Sequence, residues 1–275
     1  MESCSLFMVG MLRSGSSLLA HWLKDCGLDI GMRLPPPVFK NEPASFEDLD
    51  FSEFHKLLLK YNGASTFVNT DKKLTYDKYL QSKAKSILFL KRLISDQWGV
   101  KQPRATLFLD LWRNINTNEA YYITIVRDFW EVVSSLHNRE LKGLKHRYKE
   151  PEAFLSKVKE LEERKQEFYD LYLSMWIRYN EEIIDHYHEM PKGNHLVLWM
   201  GKLIKNDKPL FDHINKVWDF DLTYQPISEL YKPEAFHELT ETEFEFSPDL
   251  HSRAIETEQK LRTIALESEQ IYLSK

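Results

Sequence analysis

The strongest indication of the fold lies near the N-terminus, in the sequence Leu6-Phe-Met-Val-Gly10-Met-Leu-Arg-Ser-Gly15-Ser-Ser-Leu-Leu. Its first four residues are all apolar, which is typical of a strand buried on both faces of a parallel sheet. From Ser16 to Cys26 the apolar residues recur at helical spacing instead, and Gly27 follows as a helix stop signal. A buried strand, a short glycine-containing loop and an amphipathic helix predict the opening unit of an α/β domain.

Further strands alternate with helical patterns along the chain. Apolar runs predict buried strands at 121–126 and 195–199, and a weaker candidate passes through Trp98 and Val100 into Lys101. This alternation predicts crossover connections and a parallel sheet flanked by helices.

Helical spacing of apolar residues begins at Phe129, and a charged helical stretch occupies 151–188. Before the first of these helices, Asp128 and Glu131 resemble a capping box with Asp as the cap. We expect a single domain over residues 1–275, with its core at about 5–220, helical insertions, and a C-terminal loop and helix at 221–275.

Composition excludes several classes of protein. The chain has 275 residues, is 43% hydrophobic and carries a net charge of −5, so it can bury a sizeable core and does not favour a nucleic-acid polymer as partner. Its two cysteines provide neither a disulfide framework nor a metal cluster. No run of about 18 apolar residues and no signal peptide is present. We therefore expect a cytoplasmic protein without a membrane anchor.

The first loop has the composition of an anion-binding loop. Gly10 and Gly15 have the spacing of the phosphate-binding motif G-x-x-x-x-G-K-[ST], and the loop leads into a helix N-terminus. The lysine of that motif is replaced by Ser16, and the cation within the loop is Arg13. A guanidinium grips one phosphate with two hydrogen bonds, whereas clamping of ATP or GTP needs the lysine. The candidate binding residues are Arg13, Ser14, Gly15, Ser16, Ser17 and Leu18.

This loop resembles the 5′-phosphosulfate loop of sulfotransferases that use 3′-phosphoadenosine 5′-phosphosulfate (PAPS), in the bacterial-type branch that reads G-M-x-R-S-G-[ST]-S. The resemblance implies a sulfotransferase-like P-loop fold. It also implies that Arg13, Ser16 and Ser17 hold the 5′-phosphate of the donor, which is released as PAP.

A second signature follows the predicted strand at 121–126. Arg127 ends that strand, where open α/β sheets bind ligands, and Ser135 lies two helical turns further on. The 3′-phosphate motif of the same family has an Arg followed eight positions later by a Ser. The resemblance therefore implies that Arg127 and Ser135 bind the 3′-phosphate.

Three further segments resemble the bacterial-type branch. They are Phe46-Glu-Asp48, Trp98-Gly-Val-Lys-Gln-Pro-Arg104 and Trp176-Ile-Arg-Tyr-Asn180. The resemblance covers residues 5 to 220 and fades beyond Trp199.

The resemblance also implies a division of catalytic roles without a metal. Sulfuryl transfer needs cations near the developing charge and a base for the acceptor hydroxyl. Lys101 is implied as the group that stabilises the leaving oxygen, assisted by Arg13, while Arg104 orients donor or acceptor. Gln102 and Pro103 stand where relatives carry an acid or a histidine. Carbohydrate-type sulfotransferases place a Glu in the segment after the first helix, and the resemblance makes its nearest counterpart, Glu47, the first candidate for the base. Glu42, Asp48 and His137 are the alternative bases.

The other histidines, including His21, His55, His186 and His188, lack metal spacing and are expected to be structural or exposed. The predicted function is sulfuryl transfer from PAPS to a hydroxyl of a carbohydrate or other small-molecule alcohol. The loops at 31–49 and 142–151 and the chain beyond Leu222 are expected to shape the acceptor pocket. A P-loop kinase-like phosphotransferase and a non-catalytic nucleotide-binding module remain as alternatives.

Overall fold

Four parallel strands form the sheet at the centre of the molecule. The computed structural model describes residues 4–37, 44–68, 71–116, 120–230 and 244–274. The strands are β1 (Cys4–Val9), β2 (Gln97–Lys101), β3 (Ala120–Val126) and β4 (His195–Trp199), in the spatial order β2-β1-β3-β4. The three predicted strands and the weaker fourth candidate are thereby confirmed.

The register of the sheet brings the ends of three strands together. Met8 of β1 pairs with Lys101 of β2, and Val9 pairs with Thr124 of β3. The loop after β1, the end of β2 and the residues after β3 therefore lie at one edge of the sheet. Strand order reverses at β1, and such a switch point is where open α/β sheets bind their ligands.

Ten α-helices occur in the described part of the chain. They are α1 (Ser16–Asp25), α2 (Leu49–Tyr61), α3 (Lys78–Ile94), α4 (Leu109–Ile115), α5 (Phe129–Arg147), α6 (Pro151–Glu163), α7 (Lys165–Glu189), α8 (Met200–Lys205), α9 (Lys208–Lys216) and α10 (Pro248–Leu273). Two short 3-10 helices lie at Pro103–Phe108 and Ile227–Glu229. None of the helices in the described ranges is long and apolar enough to span a membrane.

Alternate residues of β1 feed two hydrophobic cores, one on each face of the sheet. Phe7 and Val9 pack with α2–α5, α7 and α10, whereas Leu6 and Met8 pack with α1, α8 and α9. Because both faces are covered, every residue of β1 and β3 is buried. The predicted fold class, a parallel α/β sheet flanked by helices, is confirmed.

The capping box predicted at the start of α5 is wrong. Asp128 occupies the cap position, but its side chain makes no capping hydrogen bond and pairs instead with Arg262 of α10. Glu131 accepts a hydrogen bond from Arg127 Nε at 3.0 Å. Glu258 of α10 accepts from the backbone N–H of Phe129 at 3.5 Å, so a distant helix supplies the cap.

Two other segments differ from expectation. The helical stretch at 151–188 is divided into α6 and α7 at Arg164, whose φ of −106° and ψ of 17° interrupt the helix. The expected loop at 142–151 is shorter than predicted, because residues 142–147 are the last turns of α5. Of the loop at 31–49, residues 31–37 and 44–48 are described, so the alternative base Glu42 lies outside the described residues.

Candidate functional site

The loop between β1 and α1 has a backbone that bends sharply at three residues. Gly10, Arg13 and Gly15 have positive φ values of 130°, 68° and 103°. Positive φ is uncommon for a residue with a side chain, and such positions cluster at ligand-binding sites. The conformation of Arg13 is therefore maintained by its surroundings and marks this loop as the candidate site.

Contacts from outside the loop fix this conformation. Thr106 Oγ1 accepts a hydrogen bond from the N–H of Gly10 at 2.9 Å and donates to the Gly10 carbonyl at 3.2 Å. Met200 packs against Gly15 so closely that a Cβ there would lie 2.7 Å from its sulfur. Neither Thr106 nor Met200 was predicted from the sequence, because both contacts join residues far apart in the chain.

The loop leaves several hydrogen-bond donors without a protein partner at the start of α1, within the described ranges. Within the described ranges, the backbone N–H groups of Gly15, Ser16 and Ser17 donate to no protein group. Ser14 Oγ is buried and likewise has no partner among the described residues. These donors adjoin the positive end of the helix dipole. A phosphate or sulfate group satisfies such donors, so the local geometry fits an anion.

The two predicted phosphate signatures lie in direct contact. Arg13 Nε donates to Ser135 Oγ at 2.9 Å, across 122 residues of sequence. Arg127 Nη1 donates to the backbone carbonyl of Arg13 at 3.3 Å. Arg127 is 8% exposed and its Nε is paired with Glu131. The structure thus unites the loop after β1, the end of β3 and the second turn of α5.

Lys101 and Glu47 form a second charged cluster at the same edge. Lys101 Nζ lies 2.8 Å from Glu47 Oε1, and Arg104 Nη1 lies 3.3 Å from Glu47 Oε2. Lys101 is 3% exposed, and Glu47 and Arg104 are largely buried. Because one carboxylate faces two cations, this cluster has a net positive charge.

The electrostatics of Lys101 connect the two clusters. Burial lowers the pKa of Lys101, while the ion pair with Glu47 opposes that shift. The positive charges of Arg104 and Arg13 lower the pKa of Lys101 further. Arg13 therefore lies within electrostatic range of Lys101, and the cations form one positive field at the sheet edge.

The position of Glu47 is set by the residue before it. Phe46 has a positive φ of 56°, is 7% exposed, and stacks on His21 of α1 with ring centroids 4.8 Å apart. Asp48 caps α2 by accepting from the N–H of Asp50 at 2.8 Å. Glu47 is thus held between a buried ring and a helix start, which directs its carboxylate to Lys101.

Gln102 and Pro103 build the support for Arg104. Pro103 opens the 3-10 helix, and Gln102 Oε1 accepts from the Arg104 N–H at 3.3 Å while its Nε2 donates to Ser52 Oγ at 2.8 Å. Arg104 Nε donates to Thr66 Oγ1 at 3.1 Å. These two residues, which depart from the patterns of the family that the sequence resembles, have a structural role here.

Tyr179 lies close to this cluster and was not predicted from the sequence as a site residue. Its hydroxyl donates to the carbonyl of Thr66 at 3.3 Å, and burial raises its pKa, with Arg104 and Glu47 also acting on it electrostatically. Tyr179 lies within the segment Trp176–Asn180, so the resemblance signalled the segment without a role for this residue.

The alternative bases contact other groups. Both carboxylate oxygens of Asp48 are engaged, one by the cap of α2 and one by Lys91 at 2.7 Å. His137 lies 3.5 Å from Glu162 and packs edge-on against Tyr169. Glu47 is thus the candidate that contacts Lys101.

Four other histidines, His55, His186, His195 and His213, lie in the core. His55 donates to the Phe51 carbonyl at 2.7 Å and accepts from Trp112 Nε1 at 3.0 Å, and His186 lies 3.1 Å from His195. His188 is exposed. Among the described residues, no group of His, Cys, Asp and Glu side chains has the geometry of a metal site.

Comparison with known proteins relates the fold to sulfotransferase domains. No protein-family model and no curated protein sequence matches the chain. The sulfotransferase domain of the Synechococcus PCC 7002 olefin synthase is similar in structure, with a TM-score of 0.50, 16% identity, and coverage of 96% of this chain and 95% of that one. Sulfotransferase STF9 from Mycobacterium avium has a TM-score of 0.50 and 14% identity over 82% of this chain and 66% of that chain. At these identities the likeness establishes the fold.

Proposed function

We propose that this protein transfers a sulfuryl group from PAPS to the hydroxyl of an acceptor and releases PAP. The observation that carries the proposal is the meeting of Arg13, Lys101 and Arg127 at the carboxyl edge of three adjacent strands, beside unpaired donors at the start of α1. Three cations and a helix N-terminus suit a ligand with several anionic groups.

The loop supplies the binding groups for the 5′-phosphosulfate. The N–H groups of Gly15, Ser16 and Ser17 and the hydroxyl of Ser14 have no protein partner within the described ranges, and Arg13 adds a guanidinium. We assign Ser16, Ser17 and Leu18 to the same end of the donor. Ser16 stands at the lysine position of the G-x-x-x-x-G-K-[ST] motif, so the site lacks the group that clamps the terminal phosphates of ATP.

Arg127 and Ser135 are assigned to the 3′-phosphate. Their contacts with Arg13 support this assignment, because one ligand that carries both phosphates then reaches both signatures. The side chain of Arg127 is largely buried, so its charge is weakly screened by solvent.

The chemistry is an in-line displacement at sulfur. The Glu47 carboxylate takes the proton of the acceptor hydroxyl while the acceptor oxygen forms a bond to sulfur. The bond between sulfur and the bridging oxygen breaks, and the electron pair leaves with PAP. Lys101 and Arg13 stabilise the charge that develops on the bridging oxygen, and no metal takes part. Arg104 holds Glu47 in position.

The acceptor is proposed to be a carbohydrate or another small alcohol. The buried Tyr179 holds Thr66 by donating to its carbonyl. Arg104, which pairs with Glu47, and the half-buried Thr66 offer polar groups for a hydroxylated molecule. Their contribution is recognition of the acceptor, since proton removal and charge stabilisation are assigned to other side chains.

The test is a mass-spectrometric screen for sulfate transfer from PAPS to a panel of sugars, phenols and other alcohols, with the Lys101→Ala variant as a background control. We expect that acceptors of one chemical class give products 80 Da heavier than themselves, and that one PAP is released for each product formed. Binding of PAP without transfer to any acceptor would favour a nucleotide-binding module, and transfer of phosphate from ATP with magnesium would favour a kinase.

A further inference from the structure

Helix α3 exposes an apolar face that no described part of the chain covers. Its inner face consists of Leu80, Ala84 and Leu88, which are buried. On the outer side, Tyr79, Phe89, Leu90 and Leu93 are between 57% and 67% exposed. Large hydrophobic side chains of this exposure, gathered on one helix, mark an interaction surface.

Lysines border this apolar face on both sides. At 100° per residue, Lys83 lies on one side of the outer face, and Lys78 and Lys85 lie on the other. All three are exposed, and within the described ranges none of them pairs with an acid. The helix contains no Asp or Glu at all between residues 78 and 94. An amphipathic helix with this charge pattern is typical of a surface that binds anionic membranes.

The apolar face continues beyond α3 toward the candidate site. Met32 is 76% exposed and lines the same shallow cleft as Ile94, which is 53% exposed. Met32 belongs to the segment that leads to Glu47. The surface thus extends from the outer side of α3 to the first part of the expected acceptor loop.

We propose that this surface, defined by Tyr79, Phe89, Leu90, Leu93, Ile94 and Met32 with Lys78, Lys83 and Lys85, docks the protein on an anionic lipid bilayer. The apolar side chains enter the interface, and the lysines contact lipid headgroups. This inference concerns the location of the protein and does not depend on the reaction it performs.

A bilayer suits this surface better than a protein partner does. Apart from Met32, the apolar residues project from one convex helix, and a bilayer accepts such side chains without a complementary pocket. Two copies of the chain that paired through this face would bring their lysines close together, which opposes self-association. Lysines attract an anionic surface, and their aliphatic stems extend alongside the apolar side chains.

Vesicle flotation tests the proposal with the full chain. Wild-type protein is mixed with vesicles of phosphatidylcholine alone or of phosphatidylcholine with about one third phosphatidylserine. We expect binding to the anionic vesicles, and a decrease in binding as salt is raised from about 0.1 to 0.5 M. Two variants change the surface, Phe89→Ser/Leu93→Ser and Lys83→Glu/Lys85→Glu. Each is expected to lower the partition coefficient at least about tenfold, since buried apolar area and headgroup attraction both contribute.

Matched controls change equally exposed residues elsewhere. Leu155→Ser on α6 removes a side chain that is 63% exposed, and Lys192→Glu/Lys205→Glu changes exposed charges near β4, at the opposite edge of the sheet from β2. These variants should bind vesicles like the wild type. Thermal melts verify that all variants are folded.

Two results would overturn the proposal. The first is that folded wild-type protein binds anionic vesicles no better than neutral ones. The surface would then be interpreted as a binding site for a protein partner. The second is that sedimentation without vesicles detects a concentration-dependent dimer, and that Phe89→Ser/Leu93→Ser abolishes this dimer. The surface would then be an interface between two copies of the chain.

Discussion

Lys101, Glu47 and Arg104 are charged side chains whose interactions depend on one another. Burial disfavours the ammonium group and lowers the pKa of Lys101, and the ion pair with Glu47 at 2.8 Å opposes that shift. Glu47 is in turn shared with Arg104. Removing any one of these charges therefore affects the other two, and variants have to be interpreted with that coupling in mind.

Arg127→Ala should reduce the preference for PAP over AMP. The two ligands differ in the 3′-phosphate assigned to Arg127, so we expect PAP binding to lose about 2–4 kcal/mol, the scale of breaking one desolvated charge pair. AMP binding should change little. Calorimetry with both nucleotides measures the difference. An equal loss for both would show that the variant acts through the Arg13 carbonyl it normally contacts, and would contradict the 3′-phosphate assignment.

Glu47→Gln should lower turnover by about 10²–10⁴ with donor affinity retained, because the amide keeps the shape of the side chain and cannot take a proton. Steady-state sulfate transfer measures turnover, and PAP calorimetry measures affinity. Glu53→Gln is the matched control, since Glu53 is an exposed carboxylate on the neighbouring helix α2. Turnover close to that of the wild type in Glu47→Gln would remove the base assignment.

Elements that depend on local sequence were predicted, and elements that depend on distant contacts were not. Apolar runs identify the buried strands because both faces of the sheet are covered. The cap of α5 was mispredicted, since Glu258 reaches Phe129 from 129 residues away. Arg13, Arg127 and Ser135 were predicted as site residues from sequence motifs, whereas Thr106, Thr66 and Met200 join the candidate site only through the tertiary fold.

Two glycines that flank α1 provide a test of the loop. Gly15 and Gly27 have similar positive φ values of 103° and 106°, but only Gly15 contacts Met200 closely, and no atom lies within 4 Å of a Cβ at Gly27. Gly27→Ala should cost about 1–2 kcal/mol of unfolding free energy through backbone conformation and leave PAP binding unchanged. Gly15→Ala should cost more and weaken PAP binding at least about tenfold. Urea unfolding measures the loss of stability, and calorimetry measures PAP affinity. Equal losses of PAP affinity in the two variants would contradict the proposal that the loop binds PAP.

At the scale of the whole molecule, two cores on either side of the sheet hold the strand ends in register. The core formed with α2–α5, α7 and α10 contains buried histidines that stay neutral. Burial lowers the pKa of His55 from 6.5 to about 3, outweighing its hydrogen bond to Phe51. Protonation would also place a hydrogen on Nε2, where Trp112 already donates.

Stability should consequently fall in acid. Because the folded-state pKa of His55 is depressed, its contribution is complete above about pH 6.5 and is lost progressively as pH falls toward about 3. At pH 5 this residue alone should cost about 2 kcal/mol of unfolding free energy. Urea unfolding at pH 7.5 and pH 5 measures the loss. His55→Gln should lose less than the wild type over this interval, while His188→Gln, at an exposed position, should lose as much. The same loss in all three proteins would contradict this origin.

We propose that the sheet edge formed by β1, β2 and β3 binds a nucleotide with a 3′-phosphate without the help of a metal. Calorimetry with PAP, AMP and ATP, each in EDTA and again with magnesium, tests it most directly. We predict that PAP binds with low micromolar or tighter affinity in EDTA, that magnesium does not strengthen its binding, and that AMP and ATP bind more weakly. Tight binding of ATP with magnesium and scarcely any binding of PAP would contradict the claim.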